Sequence, residues 1–438
     1  MHPSAVELSH LSAQDESGTR AAKRAVFCTI FGNALEWFDF ATYAYFATVI
    51  SRQFFPTSDK ATALIATFAV FGIGFVSRPL GAVFFGRLGD LKGRKHALLI
   101  AMPLMGIGTT LIGVLPTYQA IGVAAPLCLV ACRLVQGFSA GGEAGNAMAY
   151  LVEWAPANRR AFYSCLIHAT SVGGTLVGSG IAAALSTMMN HESLEQWGWR
   201  LPFLFGGLVI APLSFYLRTK VDETPRFVAE EKTISQGLSR QERKTAWVHC
   251  AKAIGMTSIW FVSYYVFMVY TPAYLTVHGH LERASALWIT TGGFIVMILS
   301  ILAAGLISDV FGRKPLLIGG AVSFIVLAYP LFVLFKNTSS VMLAFGAIAV
   351  CSTLIGIFAG TCPAAMAEMF PTRVRTTGIS LGYGLSVAIF GGFASVISES
   401  LIKFTGSDLS PSFFVVFAAL LSLIVTCSIK ETAHTSLE

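Results

Sequence analysis

Charge is scarce in this chain. Lysine, arginine, aspartate and glutamate make up 12% of its 438 residues, against 55% hydrophobic residues. Soluble domains carry about 25% charge, and none of this length could bury so much apolar surface, so part of the solvent must be lipid. Metal-ligand spacing is also lacking. The eight cysteines (Cys28, Cys128, Cys132, Cys165, Cys250, Cys351, Cys362, Cys427) fall in or at the ends of apolar stretches, with no C-x-x-C pair and no neighbouring His cluster. They read as small core residues, and no metal, cofactor or disulfide is expected. There is no G-x-x-x-x-G-K-[ST] phosphate loop, so ATP is not the expected energy source. No polar segment is large enough for a catalytic domain, which argues against an enzyme and leaves no catalytic residues to assign. The first twenty residues are polar, and the apolar run after them is interrupted by Glu36 and Asp39, so no cleavable signal peptide is expected.

What the chain does have is a succession of long apolar runs with short polar joints. A transmembrane helix needs roughly 20 such residues to cross about 30 Å of hydrocarbon. Twelve spans fit, at 25–50, 61–87, 97–115, 121–152, 161–187, 201–217, 248–276, 285–308, 315–335, 341–368, 376–402 and 411–429. They are numbered span 1 to span 12 below. The expectation is an all-α membrane protein. With the first span starting inside, the inner joints and tails, counted with Arg87 at the inner end of span 2, carry 21 Lys and Arg residues and the outer joints six, as the positive-inside rule demands. Both termini are then cytoplasmic. The net charge of +7 sits in inner joints beside anionic lipid, so the bilayer is the expected partner and nucleic acid is not.

One pattern occurs twice, 219 residues apart: Gly86-Arg-Leu-Gly-Asp90-Leu-Lys-Gly93-Arg94-Lys95 and Gly305-Leu-Ile-Ser-Asp309-Val-Phe-Gly312-Arg313-Lys314. A second pair, Glu153-Trp-Ala-Pro156 with Arg160 and Glu368-Met-Phe-Pro371 with Arg375, is 215 residues apart. The chain therefore divides into two six-helix bundles, 1–218 and 248–438, joined by a basic cytoplasmic linker at 219–247. Each copy of the first pattern follows the second span of its half on the inner side. Asp90 and Asp309 are expected to pair with cations across the halves as a latch that holds in one conformer; the alternative is a tight turn that fixes topology only. Glu153, Glu368, Arg94, Arg313, Arg160 and Arg375 join them as gating candidates, with Glu143 toward the inner end of span 4.

The duplicated G-x-x-x-D-x-x-G-R-K pattern and the six-plus-six arrangement resemble the major facilitator superfamily over essentially the whole chain. Four stretches narrow this: Gly32-Asn33-Ala-Leu-Glu36-Trp-Phe-Asp39-Phe, Ser77-Arg78-Pro79-Leu-Gly81, Arg133-Leu-Val-Gln136-Gly137-Phe-Ser and Trp197-Gly-Trp199-Arg200-Leu-Pro202-Phe. They resemble the metabolite:proton symporter family, whose members carry citrate, 2-oxoglutarate, shikimate, proline and betaine. The resemblance implies secondary active transport by alternating access in a bacterial inner membrane, with one chain as the working unit. Span 5 lacks the Gly-Pro of the superfamily's antiporters, which favours symport.

Ionisable groups inside hydrocarbon cost about 2.5–3.5 kcal/mol each on insertion scales, so each needs a partner or a purpose. Counted at 1.5 Å per residue, Glu36, Asp39, Arg78 and Arg133 all lie roughly 18–22 Å from a membrane edge and converge near the midplane. Glu36, Asp39 and Tyr43 share a helical face with Asn33, and Arg133 shares one with Gln136, a polar stripe expected to face a cavity, with Asn33, Tyr43, Gln136 and Arg133 as substrate-binding candidates. Asp39, with Glu36 second, is the expected proton carrier, and Arg133 the switch that a substrate anion would engage. Alternatively, Asp39 and Arg133 form a buried ion pair holding spans 1 and 4 together. Arg78 is the expected grip on a substrate carboxylate, because guanidinium matches its fork geometry. The second half offers Trp260, Tyr264, Tyr265, Tyr270 and Tyr274 in span 7, Thr361 in span 10 and Tyr383 in span 11, without an equivalent mid-membrane charge. Of these, Tyr264 and Tyr383 are the substrate-binding candidates; packing is the competing role for any one of them. Glycines at four-residue spacing, Gly74 in span 2, Gly137 and Gly141 in span 4, and Gly174 and Gly178 in span 5, would let backbones approach closely. The expected cargo is a small organic acid, citrate or another di- or tricarboxylate. A zwitterionic osmolyte, a shikimate-like monoacid, or a non-transporting sensor are the alternatives.

Overall fold

A computed structural model describes residues 33–34, 36–57, 59–92, 94–141, 158–219, 240–370 and 375–433. Among these, nine helices are long and apolar enough to cross a membrane: Lys60–Phe85, Arg160–Met188, Gly198–Leu217, Trp247–Val277, Arg283–Phe311, Arg313–Asn337, Val341–Met369, Gly378–Thr405 and Pro411–Ser428. They correspond to span 2 and spans 5 to 12. Two shorter apolar helices, Leu99–Val114 and Ala124–Ala140, are spans 3 and 4. Helical residues 36–45 and Ala47–Phe54 make span 1. No strand is present among the described residues. The fold of the described residues is all-α, as expected, and these helices are consistent with twelve spans in two bundles of six.

Several spans are not uniform helices. Span 2 breaks at Ser77, between Lys60–Val76 and Arg78–Lys92, because Pro79 has no N–H to carry the ladder through the turn. Ser77 donates its hydroxyl to the Leu134 carbonyl at 2.9 Å and ties the break to span 4. Spans 6, 7 and 11 each carry a π-helical stretch, Gly206–Ile210, Tyr264–Tyr270 and Val387–Gly391. Span 7 starts further inward than its apolar run, its helix beginning at Arg240.

Backbone contacts make the first bundle compact. A Cβ on Gly137 would lie 1.6 Å from the Gly74 carbonyl oxygen, and one on Gly174 would lie 1.8 Å from that of Ala34. Only glycine permits spans 2 and 4, and spans 1 and 5, to approach this closely.

The halves meet along two seams. Span 5 runs against span 8, with Trp288 donating to Thr187 at 3.1 Å, Thr291 donating to Ser179 at 3.1 Å, and Asp309 meeting the first turn of span 5. Span 2 runs against span 11, where Gly72 faces Gly392 and Phe393. At the end remote from Asp309, Lys403 reaches Asp59 at 2.5 Å and Arg283 donates to the Tyr45 carbonyl at 3.2 Å. Contacts between the halves therefore exist on both faces.

Candidate functional site

Span 1 carries the centre of the site. Its residues Trp37, Phe40, Tyr43 and Tyr45 are buried, so a helix with two acids is enclosed by neighbours instead of lipid. Glu36 Oε1 lies 2.6 Å from Arg78 Nη2, and both side chains are closed to solvent. Pro79 and the Ser77 break set the direction in which Arg78 leaves span 2. Its guanidinium also lies 4.6 Å from the Phe40 ring centroid and 4.7 Å from that of Phe75, an aromatic bed for a delocalised cation.

Arg133 is fully buried in span 4. It donates to Gln136 Oε1 at 2.8 Å and lies over the rings of Phe40, Tyr43 and Phe71 at 4.5, 4.7 and 5.2 Å. Gln136 turns its amide nitrogen to Thr109 at 2.8 Å and to Asp39 Oδ2 at 3.3 Å. Thr109 also donates its hydroxyl to Asp39 Oδ2. The direct Asp39–Arg133 pair is therefore corrected: Gln136, one helical turn along from Arg133, stands between them. Asp39 Oδ1 has no hydrogen-bond partner among the described residues. A Cβ on Gly206 would come 3.0 Å from that oxygen, so the glycine leaves room beside it.

Two clefts flank the Glu36–Arg78 pair. One, of about 480 Å³, is bounded by Glu36, Asp39, Met105, Gly106, Ser139 and Gly206, among spans 1, 3, 4 and 6. The other, of about 450 Å³, lies between the halves and is bounded by Arg78, Pro79, Ala82, Gly141, Leu381 and Tyr383. Arg78 and Tyr383 thus line one cleft.

The remaining substrate candidates are held by packing. Asn33 donates to Ser171 Oγ at 2.6 Å and to the Ile167 carbonyl at 3.2 Å, a tie between spans 1 and 5. Tyr43 donates to the Thr67 carbonyl at 3.1 Å and offers its ring to Arg133. The Tyr264 hydroxyl lies 3.2 Å from that of Thr175 across the halves, and its ring meets Trp37 edge-on at 6.0 Å. The polar stripe expected to face a cavity is corrected to that extent. Asn33 and Tyr43 spend their hydrogen bonds on neighbouring helices, and for Asn33 the close contact of Gly174 with Ala34 brings span 5 within reach. Tyr265 in span 7 and Thr361 in span 10, both among the residues the second half offers, have hydroxyls without hydrogen-bond partners among the described residues. His168 stands edge-on to Trp260, centroids 4.6 Å apart, and stacks with Tyr383 at 5.9 Å.

On the latch side, Asp309 accepts backbone N–H groups of Ala161 and Phe162 at 3.0 Å each. Its expected cross-half partner, a cation, is corrected to the N-terminus of span 5, where unpaired amides and the helix dipole attract a carboxylate. The cation beside it, Arg313 at 3.0 Å, belongs to the same half. Arg313 donates to both oxygens of Glu368, at 2.9 and 3.3 Å, and to the Ser308 carbonyl at 2.6 Å. Glu431 caps span 9, accepting from the backbone of Arg313 at 3.0 Å and Lys314 at 2.9 Å. Arg160 is buried at the start of span 5. The side chains of Asp90, Arg94 and Arg375, and Glu143 and Glu153 altogether, lie outside the described residues.

One charge was missed. Glu399, near the end of span 11, is 1% exposed, a buried acid of the second half that is not among the residues named from the sequence.

Two helical bundles enclosing buried charges, with clefts between and beside them, define a multi-pass membrane transporter. The fold matches the xylose transporter XylE from Escherichia coli in a partially occluded inward-open conformation, with a TM-score of 0.78 at 18% identity, covering 94% of this chain and 99% of that one. A family model for "sugar (and other) transporter" matches residues 25–242 and 239–438, so the chain belongs to that family of the major facilitator superfamily. Within it, the relatives are those of the metabolite:proton symporter family. The citrate-proton symporter of Klebsiella pneumoniae is 34% identical over 414 residues, 94% of this chain and 93% of that protein. The proline/betaine transporter of Salmonella typhimurium is 33% identical over 427 residues, 95% of this chain and 85% of that one. The alpha-ketoglutarate permease of E. coli is 32% identical, each chain being covered to 94%.

Proposed function

We propose that this chain is a proton-coupled symporter that carries a small organic acid, citrate or another di- or tricarboxylate, into a bacterial cell across its inner membrane. The observation that carries this reading is the enclosed Glu36–Arg78 pair at the edge of the cleft between the halves. A substrate carboxylate entering that cleft competes with Glu36 for the Arg78 guanidinium, with Tyr383 opposite. Glu36, released within a buried site, is then easier to protonate, because burial penalises a carboxylate that has lost its cation. Asp39 is the main proton carrier in this reading, one oxygen held by Thr109 and Gln136 and the other facing space kept by Gly206. Gln136 relays the state of Asp39 to Arg133. Substrate and proton occupancy become linked as one coupling free energy.

The bundles 1–218 and 248–438 rock about this site on the linker 219–247, with both termini in the cytoplasm and a single chain sufficing. Asp309, Arg313, Glu368 and Arg160, with Asp90, Arg94, Glu143, Glu153 and Arg375, gate the cytoplasmic side. Asn33, Tyr43 and Gln136 hold the substrate-binding helices in register, and Tyr264 closes over the site from the second half. A second reading, a zwitterion such as proline or betaine, is favoured by the Salmonella relative's name and by the opposed charges of Glu36 and Arg78.

The test is uptake into proteoliposomes under an imposed inward proton gradient, with citrate, 2-oxoglutarate, shikimate, proline and betaine supplied singly. Accumulation of an acid supports the first reading and accumulation of betaine or proline the second; no accumulation of any of them sinks both. Asp39→Asn should abolish uphill accumulation and leave exchange intact.

A further inference from the structure

The charges of the first half do not exhaust the buried acids. Glu399 Oε2 accepts the Tyr270 hydroxyl at 2.5 Å and lies 3.4 Å from His278 Nε2, while Oε1 has no hydrogen-bond partner among the described residues. The other ring nitrogen, Nδ1, lies 3.3 Å from Asp408 Oδ1, and Asp408 Oδ2 holds Lys336 Nζ at 2.9 Å. Tyr274 flanks the row, its ring 5.2 Å from that of His278 and its hydroxyl donating to the Asp408 carbonyl at 3.0 Å. Side-chain exposure rises along it, from 1% at Glu399 through 15% at His278 to 29% at Asp408. The groups stand in file from the face remote from Asp309 into the protein. Among the described residues no three His, Cys, Asp or Glu side chains are grouped so as to hold a metal.

An imidazole that faces a carboxylate oxygen with each nitrogen satisfies both only when both nitrogens carry hydrogen. A buried carboxylate with one unpartnered oxygen is a costly anion and a much less costly neutral acid. The row therefore has a wet end, an imidazole set between two carboxylates, and a dry acceptor.

We propose that Glu399 is a second proton-binding carboxylate of this transporter, loaded from the face opposite the latch through Asp408 and His278. A ring carrying its proton on Nε2 takes a second at Nδ1 from water beside Asp408. The Nε2–H bond then breaks as a Glu399 Oε2–H bond forms, leaving a neutral ring protonated at Nδ1. One proton enters and no electrons move. The loss of charge reaches Tyr270, whose ring meets Phe68 of span 2 at 5.9 Å, so it is felt where the halves touch. This inference rests on the proton-coupled reading above.

The experiment uses the full-length protein reconstituted in lipid and compares wild type with Glu399→Gln and His278→Gln. Gln retains an acceptor for Tyr270, so folding is preserved where Ala would leave a hole. Infrared titration of the protonated-carboxyl C=O band should show a component in wild type and in His278→Gln that is absent from Glu399→Gln. In proteoliposomes, gradient-driven citrate accumulation should fall about tenfold in Glu399→Gln while citrate exchange stays near wild type, a coupling loss of ordinary size. If wild type and Glu399→Gln give superimposable infrared titrations, the second site is overturned. If wild type fails to accumulate citrate, the reading of the cargo fails, and the infrared comparison still decides on Glu399.

Discussion

Arg78 and Glu36 form an ion pair 2.6 Å long whose side chains are 6% and 5% exposed, whereas Asp39, one helical turn along, touches no cation directly among the described residues. The two acids of span 1 therefore differ in what holds them. Removing one partner of a buried pair strands the other, at about 3–5 kcal/mol. Arg78→Gln and Glu36→Gln should each lower the melting temperature in detergent, and the double variant should melt closer to wild type than Arg78→Gln does. Additive losses would mean the pair is not energetically coupled.

Gly137→Ala places a methyl carbon where the Gly74 carbonyl oxygen stands, 1.6 Å away, so spans 2 and 4 must separate. Its yield of monodisperse protein on size exclusion should collapse. Gly173→Ala is the control, since a Cβ there meets nothing within 4 Å, and it should behave as wild type or better. Equal yields from the two would contradict the close backbone contact.

Cys165 is fully buried beneath the latch, its Sγ within 2.8 Å of a Cβ built on Gly305. Asp309→Ala removes the carboxylate that joins span 8 to the first turn of span 5. In a background with the other cysteines replaced by serine, Cys165 should react with a water-soluble thiol reagent several-fold faster in Asp309→Ala. For a contact of about 1–2 kcal/mol the expected gain is roughly 5–30-fold. An unchanged rate would relegate Asp309 to a local role beside Arg313.

His278 follows the last residue of span 7, and its pH behaviour has a definite sign. Burial pushes the imidazole down, but the facing carboxylates of Glu399 and Asp408 outweigh it and raise it above its ordinary value. A raised folded value means the stabilisation is complete below the unfolded value of about 6.5 and fades as pH rises through the folded one. The melting temperature of wild type minus that of His278→Gln should thus shrink with rising pH; a difference that grows would reverse the assignment.

How much of this could be read from the sequence differs by residue. Acids and arginines inside apolar runs stood out at once, because each needs a reason to be there, and Glu36, Asp39, Arg78 and Arg133 do gather. Their pairing was not legible. It depends on Gln136 and Thr109, ordinary polar residues that gain meaning only from helix rotation. The duplicated motif announced a latch, but the partner of Asp309 is a pair of backbone amides, which no side-chain pattern encodes. Glu399 lies near the end of its run, where a charge is easily assigned to the membrane surface; Tyr270 and span 7 cover it. The glycine spacings predicted close approach and the structure has it, since that rule concerns the residue's own size. π-helical turns leave no periodic trace, so those in spans 6, 7 and 11 went unseen.

Asp309 completes the first turn of a helix whose second residue, Ala161, stands 148 positions earlier in the chain. The amide hydrogens of Ala161 and Phe162 are thus protected by a residue of the opposite bundle, and solvent reaches them only when the bundles part on that side. Their hydrogen-exchange rate measures how often that happens. In the proposed cycle that rate counts the openings on this side, readable without a label, a cargo or a substitution.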